Sequence, residues 1–360
     1  MKPSAVQNLI CLECRSPLAI KEQSTADAGP ATAGEEIIQG QLACTKCPVS
    51  YPIADGVPRF VQSAVSEKKN LETGKRFGQA WKEFPRMDAA YKNQFFDWIF
   101  PVTEDYFQDK VVLEAGCGKG RHAQIISAAG ASQVYAIDIG EAVDVAYHNV
   151  GHLPNVHIIQ ADICNLPFAN PFDFAFSVGV LHHMSDPGQG FASICSHLKD
   201  DGSILVWVYG RENNGWLVSV INPIRLAITS KMPAAPLKLL SFLLAIPVFI
   251  LSKYIYKPYC DCRRNAHFLP DLFYSRYMSY IARFDFSEIH HIVFDHLVAP
   301  VSNYLSQEDV RQWFINGHFD NPTLRWHNCN SWTGFSSRSE EDRQLMRSRV
   351  QTRRVTDVPV

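Results

Sequence analysis

The chain has 360 residues, of which 46% are hydrophobic, and this is enough for one large core with a small second domain. Its formal net charge of −2 gives no overall basic field, which argues against a nucleic-acid partner. The first residues, MKPSAVQNLICLEC, hold no long apolar run after the lysine, so we expect no secretory signal peptide and a cytoplasmic location.

Two close pairs of cysteines lie near the beginning of the sequence, Cys11 with Cys14 and Cys44 with Cys47. Four thiolates in two C-x-x-C pairs suit a tetrahedral zinc ion, and a site without an open coordination position is structural. The segment between the pairs, KEQSTADAGPATAGEE, has no large apolar residue, and we expect a mobile loop there.

The segment after the second pair, YPIADGVPRFV, resembles the small zinc ribbon of the activator subunits of RNA and protein methyltransferases. This resemblance implies that residues 1–62 form a zinc-ribbon domain that holds one structural Zn ion. Residues 63–108 follow as a charged linker and an aromatic-rich segment, FGQAWKEF and FFDWIF, in which we expect helices.

The stretch VVLEAGCGKGRH, residues 111–122, combines a β-branched run with three closely spaced glycines. The run predicts a buried strand of a parallel sheet. Gly116 and Gly118 let the backbone turn tightly beside a ligand, and Gly120 allows close packing where a helix begins. The spacing G-x-G-x-G differs from the dinucleotide fingerprint G-x-G-x-x-G.

Strand signals continue downstream with the segments QVYAID, NVHIIQADI and PFDFAFSVGVLHH. The segment HLKDDGSILVWVY predicts a helix end, a turn and a fifth strand. Asp138 ends the second strand, where a carboxylate can accept hydrogen bonds from ribose hydroxyls. Asp162 ends the third strand and could meet an adenine amino group. Both carboxylates could instead cap the helices that follow them.

This series resembles the class I S-adenosylmethionine-dependent methyltransferases, within the group that includes the ubiquinone/menaquinone C-methyltransferases. The matching segments are LEAGCGKG, AID, ADICNLPF, FDFAFSVGVLHH and LKDDGSILV. The resemblance implies an α/β fold with a Rossmann-like seven-stranded sheet over residues 109–338. It departs mildly from the family at Glu114, where Asp is usual, and at LKDDG, where LKPGG is usual.

The resemblance also implies which residues bind the cofactor, S-adenosylmethionine. The methionine part would be surrounded by Glu114, Gly116, Gly118 and Gly120, with Ser177 beneath it. The ribose would be held by Asp138, and the adenine would lie beside Ile139, Asp162 and Ile163. Ser177 could equally have a purely structural role.

A methyl transfer to a hydroxyl or a carbon acid needs a base near the acceptor. His182 and His183 follow the fourth strand at the carboxyl edge of the sheet, where open α/β sheets bind ligands. Asp295 and His296 form a second candidate pair before the predicted helix SQEDVRQWFING. The alternatives are a packed loop histidine for the first pair and a surface salt bridge for the second.

Residues 211–300 form an apolar insertion that is broken by prolines. Within it, 237–256 reads LKLLSFLLAIPVFILSKYIY, interrupted by Pro247. We favour a buried helical cap over a hydrophobic acceptor, and two alternatives stay open. The segment could touch a membrane peripherally, or it could span one.

A helix and two further strands are predicted to about residue 338, and the polar tail 339–360 is expected to be disordered or helical only in part. These features favour a methyltransferase that acts on a small-molecule acceptor with a hydrophobic part, such as a sugar or a lipid-linked intermediate. One alternative is an RNA or protein methyltransferase that docks through its zinc ribbon. Another is a cofactor-binding regulator without catalysis.

Overall fold

The computed structural model describes residues 1–26, 36–61, 66–265 and 270–356. Strands in these ranges form an antiparallel sheet and a mixed sheet. The antiparallel sheet has the order β1-β2-β3-β4. Its strands are β1 (Leu18–Ala26), β2 (Glu36–Cys44), β3 (Ser50–Ala54) and β4 (Val57–Pro58).

The mixed sheet has the order β10-β11-β9-β8-β5-β6-β7, in which β11 is antiparallel to both of its neighbours. This arrangement confirms the predicted α/β fold with a seven-stranded sheet. Its strands are β5 (Val111–Ala115), β6 (Gln133–Asp138), β7 (Val156–Gln160), β8 (Phe172–Val178), β9 (Leu198–Tyr209), β10 (Thr323–His327) and β11 (Ser331–Ser337).

Helices surround the mixed sheet. Those before β9 are α1 (Lys68–Glu83), α2 (Ala90–Ile99), α3 (Arg121–Ala128), α4 (Ala142–Val150) and α5 (Pro187–Cys195). Those after β9 are α6 (Asn222–Ala227), α7 (Ala234–Ile250), α8 (Lys257–Asn265), α9 (Ser275–Ile281), α10 (Phe286–Val298), α11 (Gln307–Asn316) and α12 (Glu340–Thr356). Residues 251–256 join α7 to α8 as a π-helical segment.

The two sheets share one hydrophobic core. Alternation along β5 directs Leu113 towards a cluster that also contains Tyr51 and Phe60 of the N-terminal module. Val112 faces a second cluster on the opposite side of the sheet. The backbone N–H of Phe60 donates to the carbonyl of Gln160 at 2.8 Å, so the small sheet is also joined to the end of β7.

The mobile loop predicted for residues 21–36 is shorter than expected. Strand β1 continues to Ala26 and β2 begins at Glu36, and these two residues are paired partners across the ladder. The described ends of this polar segment therefore pair as strands despite their lack of large apolar side chains. Residues 27–35 of the predicted loop lie outside the described residues.

The turn predicted at LKDDG is present, although Leu198–Tyr209 is assigned as one strand: a Cβ added to Gly202 would lie 3.0 Å from the Cβ of Leu198 and from the backbone nitrogen of Lys199. The register of β8 against β9 shifts between Phe172, which pairs with Leu198, and Phe174, which pairs with Ser203. The residues between Leu198 and Ser203 therefore fold back in a tight turn, and the regular pairing of β9 with β8 begins after it.

The tail is more ordered than predicted, because Glu340–Thr356 is helical. Met346 is fully buried against the sheet, and Tyr106 donates to Asp342 at 2.5 Å. These tertiary contacts stabilise a segment whose polar composition favours a coil in isolation. The last residues, 357–360, lie outside the described range.

The insertion is helical, but the prediction that its apolar segment is a buried cap is wrong in one respect. The continuous helix over Ala234–Arg263 is long and apolar enough to cross a membrane by length and composition. Few residues of its most apolar part are buried. The helix therefore covers the protein with one face and leaves another apolar face exposed.

Candidate active site

A cavity of about 610 Å³ opens at the carboxyl ends of β5, β6 and β8. Residues that directly follow these strands, including Gly116, Ile139 and Gly179, line it. This is the edge at which open α/β sheets bind ligands. The predicted site residues in its wall are Gly116, Gly118, Asp138, Ile139, Asp162, Ile163, His183, Asp295 and His296.

The backbone of the glycine turn lies close to neighbouring residues, as the sequence predicts. Gly116 has a φ of +93°, and an added Cβ there would lie 2.2 Å from Cγ2 of Val180. Gly118 donates its backbone N–H to Asp138 Oδ2 at 3.0 Å. Gly120 is not in the cavity wall; it precedes α3 and packs against Val150, as expected for a helix start.

Asp138 lies in the cavity wall with both carboxylate oxygens fixed by backbone donors. Oδ2 accepts from Gly118, and Oδ1 accepts from the N–H of Gly140 at 2.9 Å. Burial raises the pKa of Asp138 above its ordinary value, although these two bonds oppose the rise. Each oxygen keeps a second lone pair, so the group can still accept from a diol.

Asp162 and its neighbours complete this end of the cavity. Oδ1 of Asp162 accepts from the N–H of Cys164 at 2.9 Å, and Ile163 lies beside it in the wall. Gln160 donates to the carbonyl of Ile139 at 3.1 Å and so holds the backbone that presents Ile139. Two carboxylates and two isoleucines thus bracket a space suited to a nucleoside.

Two residues predicted to contact the cofactor lie behind the wall. Glu114 is buried, with Oε1 3.0 Å from His122 Nδ1, and burial raises its pKa well above the ordinary value. Ser177 is fully buried and donates to the carbonyl of Ala115 at 2.9 Å. Both therefore stabilise the turn from beneath, and a direct contact with the cofactor is not supported for either.

The two histidines after β8 differ in position. His182 is fully buried, stacks on Tyr209 with ring centroids 3.9 Å apart, and does not line the cavity. We therefore withdraw it as a base. His183 lines the cavity and donates Nδ1–H to the carbonyl of Val301 at 2.7 Å. That bond leaves Nε2 as the unprotonated nitrogen, and burial lowers the pKa of His183 to about 3.

Asp295 and His296 of α10 both reach the cavity, so the surface salt-bridge alternative is not what the structure shows. Oδ1 of Asp295 is buried and has no hydrogen-bond partner among the described residues. Burial raises the pKa of Asp295, and it outweighs the opposing attraction of His291 and Arg121. His296 stacks on Tyr209 at 5.6 Å, and burial lowers its pKa to about 4.

His291, which sequence reasoning missed, lies one helical turn before Asp295. Its Nε2 is 3.3 Å from Asp295 Oδ2, and its Nδ1 is 3.6 Å from Glu288 Oε2. Tyr91 donates to the same oxygen of Glu288 at 2.7 Å. Burial alone raises the pKa of Glu288, but the His291 contact and the Tyr91 bond outweigh it and bring the pKa to about 2.

The i, i+3, i+7 spacing of Glu288, His291 and Asp295 could have signalled this arrangement, because such residues share one helix face. The imidazole of His291 is also held by aromatic rings. Phe84 stacks on it with centroids 4.9 Å apart, and Trp81 meets it edge-on at 4.8 Å. These rings therefore hold the imidazole of His291 beside one oxygen of Asp295.

Arg121 is a second residue that the sequence reasoning did not single out. It lines the cavity, and its guanidinium lies over the rings of Trp81, Tyr91 and Trp98 at 5.6, 5.0 and 5.2 Å from their centroids. Its place directly after the glycine turn is the feature of the sequence that could have identified it. Arg121 supplies a positive charge to a largely apolar wall.

Helix α1 closes the cofactor end of the cavity. A Cβ added to Gly140 would lie 2.2 Å from the carbonyl oxygen of Gly74, so helix and turn touch through backbone atoms. This contact brings Asn70, Thr73 and Phe77 into the wall. The helix expected in this segment is therefore present, and it lies against the wall of the cavity.

The four N-terminal cysteines converge as the sequence predicts. Their sulfur atoms all lie within 4.8 Å of one another, and Cys14 Sγ is 3.3 Å from Cys44 Sγ and 3.5 Å from Cys47 Sγ. A tetrahedral zinc with Zn–S bonds of about 2.3 Å separates its sulfurs by about 3.8 Å. The donor set therefore fits a structural zinc ion.

Replacing Cys44 with serine is expected to lower the zinc content from about one ion per chain to nearly none. Because the small sheet shares its core with the larger one, the melting temperature should also fall by more than about 5 °C. Elemental analysis and calorimetry measure both quantities. The matched control is Cys262→Ser, an exposed cysteine outside the cluster, which should change neither. Full metal content in the Cys44 variant would contradict the assignment.

Comparisons with known proteins agree with this geometry. Residues 113–206, from β5 into β9, match the family described as methyltransferase domain. With the seven-stranded sheet and its glycine turn, this range defines a class I methyltransferase domain. The chain therefore carries such a domain, with a small cysteine-cluster sheet in front of it.

Two relatives are named tRNA U34 carboxymethyltransferase. The protein of Vibrio cholerae serotype O1 is 27% identical over 154 residues, which cover 40% of this chain and 47% of that protein. The protein of Shewanella sp. strain ANA-3 is 27% identical over 206 residues, covering 47% and 61%. The chain thus spans about half the length of these relatives. Their names do not support the ubiquinone/menaquinone subgroup that we predicted.

Among solved structures, a similar one is magnesium protoporphyrin IX methyltransferase from Synechocystis PCC 6803 with bound S-adenosylmethionine. It is 12% identical, covers 77% of this chain and 100% of its own, and has a TM-score of 0.42. A complex of the Haloferax volcanii Trm112 methyltransferase activator with a methyltransferase gives 17% identity, 43% and 67% coverage, and a TM-score of 0.33. At these scores we draw no functional argument from either.

Proposed function

We propose that this chain transfers a methyl group from S-adenosylmethionine to a small acceptor with a hydrophobic part. The observation that carries the proposal is a single cavity of about 610 Å³ that joins Asp138 and Asp162 to the insertion. Its volume is within the roughly 300–1,000 Å³ of ligand pockets. At the insertion end the wall is aliphatic and aromatic, with Tyr209, Leu244, Val248, Leu251 and Tyr277.

In this proposal Asp138 accepts from the ribose and Ile139 and Ile163 enclose the adenine. When bound, S-adenosylmethionine supplies a sulfonium methyl that a nucleophile displaces in line. The glycine turn keeps the backbone close to the methionine part, and α1 excludes water from this end. The positive charge of Arg121 would attract an anionic group of S-adenosylmethionine or of the acceptor.

Asp295 is the residue that we assign to proton transfer. Its Oδ1 has no hydrogen-bond partner among the described residues, and its other oxygen lies 3.3 Å from Nε2 of His291. A raised pKa brings the carboxylate closer in basicity to the group that it deprotonates. His291 acts through Asp295 and is a positioning residue.

His183 is the alternative base. Its Nε2 is unprotonated and it lines the same cavity, but its pKa of about 3 makes it the weaker proton acceptor. If Asp295 is the base, Asp295→Asn loses methyl transfer. If His183 is the base, His183→Gln loses it instead.

RNA is the second candidate acceptor, and the specific observation in its favour is the tRNA-modifying names of the relatives. Against it stand the net charge of −2 and the largely apolar wall. A base of RNA would have to leave its stack to enter such a cavity, and this unstacking costs a few kcal/mol.

The test offers S-adenosylmethionine with an isotopically labelled methyl group to the purified chain, together with either an organic-solvent extract of cells or total tRNA. We expect the label in the organic extract and none in the tRNA. Label in tRNA alone would establish the second candidate. Cofactor binding by calorimetry without transfer to any fraction would instead support a regulator without catalysis.

A further inference from the structure

The exposed face of the insertion is unusually apolar for a protein surface. Of the 17 large hydrophobic side chains that are exposed in the described residues, 15 lie between Trp216 and Phe273. On the long helix they include Leu239 (62% exposed), Leu243 (54%), Ile250 (47%) and Tyr254 (70%). Contiguous apolar surface of this kind marks an interaction site.

The long helix has two distinct faces, each with helical spacing. Leu237, Ser241 and Ala245 are buried against the protein at intervals of four residues. The exposed positions follow the opposite side, where a surface helix of a soluble protein carries charged residues. Much of the apolar surface of that outer face is therefore left uncovered by the described residues.

Contacts along the inner face exclude a transmembrane orientation. Ser241 Oγ lies 2.8 Å from His290 Nε2 of α10, and Lys238 pairs with Glu83 of α1. Phe249 packs against Phe286 with ring centroids 5.6 Å apart. A helix attached along its length to the body of the domain can lie in the plane of a membrane interface but cannot cross the bilayer.

The charge of the same segment identifies the kind of surface that it fits. Residues 213–260 contain five basic residues and no acidic one. Arg225 is buried and Lys238 is paired with Glu83, which leaves Lys231 before the helix and Lys253 and Lys257 in its second half. Lysines that flank an apolar face place their ammonium groups at the level of lipid headgroups.

We propose that the chain docks on an anionic membrane surface through the outer face of residues 216–263. The apolar side chains enter the interface, and Lys231, Lys253 and Lys257 contact the negatively charged headgroups. A lipid surface accounts for both the aliphatic composition and the excess of positive charge on this face, in which Asp261 is the one acidic residue among residues 216–263.

The same helix also forms a wall of the cavity, and this links docking to the reaction. Leu244 and Leu251 are 42% and 40% exposed, and both line the cavity. An acceptor dissolved in the membrane therefore reaches the cavity beside these side chains without passing through water. This part rests on the proposed function and names the acceptor class as membrane-dissolved.

The experiment is flotation of the full chain with vesicles of equal parts phosphatidylcholine and phosphatidylglycerol, in the absence of cofactor. We expect binding that falls about a hundredfold or more in the triple variant Leu239→Glu, Leu243→Glu, Ile250→Glu. Lys253→Glu with Lys257→Glu should lower it by more than about tenfold. Control substitutions at exposed apolar residues elsewhere, Ile315→Glu with Leu345→Glu, should leave it unchanged.

Each remaining outcome decides against the proposal. Absence of vesicle binding by the unmodified chain overturns it, as does binding that survives in the triple variant. Face-dependent dimerisation without vesicle binding would assign the face to a second copy of the chain. Resistance of the bound protein to alkaline extraction would show a span. Calorimetry with S-adenosylhomocysteine on the triple variant tests the cofactor site separately, so failure of docking and failure of the proposed function are distinguishable.

Discussion

Asp138→Ala is expected to weaken the binding of S-adenosylmethionine by about 10- to 150-fold, which corresponds to about 1.5–3 kcal/mol. The substitution removes the acceptor that we assign to the ribose. It also leaves the N–H groups of Gly118 and Gly140 without their partner, so the glycine turn loses the bonds that fix it. Isothermal titration calorimetry measures the change in Kd directly.

The matched control for this prediction is Glu141→Ala. Glu141 lies three residues further on, pairs with Lys82 at the surface, and does not line the cavity. Its removal should leave the Kd within about twofold, because an exposed ion pair contributes little. Unchanged affinity in the Asp138 variant would refute the ribose assignment, and tighter binding of NAD than of S-adenosylmethionine would refute the cofactor.

Asp295→Asn should lower kcat for methyl transfer by about 10²- to 10⁴-fold while cofactor affinity stays nearly constant. The amide keeps the shape of the side chain but cannot accept a proton. Since the base must be ionised, kcat of the unmodified enzyme should rise with pH through a pKa above the ordinary 3.8 of an aspartate. Steady-state kinetics over a pH series measure both effects.

Two further variants separate the roles around Asp295. His291→Gln should reduce kcat by less than Asp295→Asn and should shift the pH profile, because it alters the environment of the carboxylate without removing it. His183→Gln should reduce activity only modestly. If the His183 variant loses transfer and the Asp295 variant keeps it, the two assignments are reversed.

The cofactor half of the site could be predicted from sequence because its signals are local. A strand, a glycine turn and a terminal carboxylate occupy a few consecutive residues, and β-sheet pairing then brings Gly118 and Asp138 together. Gly116, Ile139 and Ile163 line the cavity for the same reason. Glu114 and Ser177 lie behind the wall, because their bonds with His122 and Ala115 depend on side-chain directions that the motif does not encode.

The acceptor half could not be predicted in the same way. His291 acquires its position from Glu288 on its own helix, from Phe84 of the segment after α1, and from Tyr91 of α2. These elements are separated by some two hundred residues, so only the folded chain brings them together. The contact of Gly74 in α1 with Gly140 is also tertiary. The outward face of the long helix likewise follows from its packing against α10.

The junction between the two sheets has a thermodynamic consequence. Arg59 donates to Gln160 Oε1 at 3.3 Å, and the amide of Gln160 donates to the carbonyl of Ile139, which lines the cavity. A common core and this chain of bonds make the cysteine module and the methyltransferase domain one cooperative unit of unfolding. Zinc and S-adenosylmethionine would then each stabilise the structure that binds the other, so chelation should lower the melting temperature of the cofactor-bound protein as well as that of the free chain.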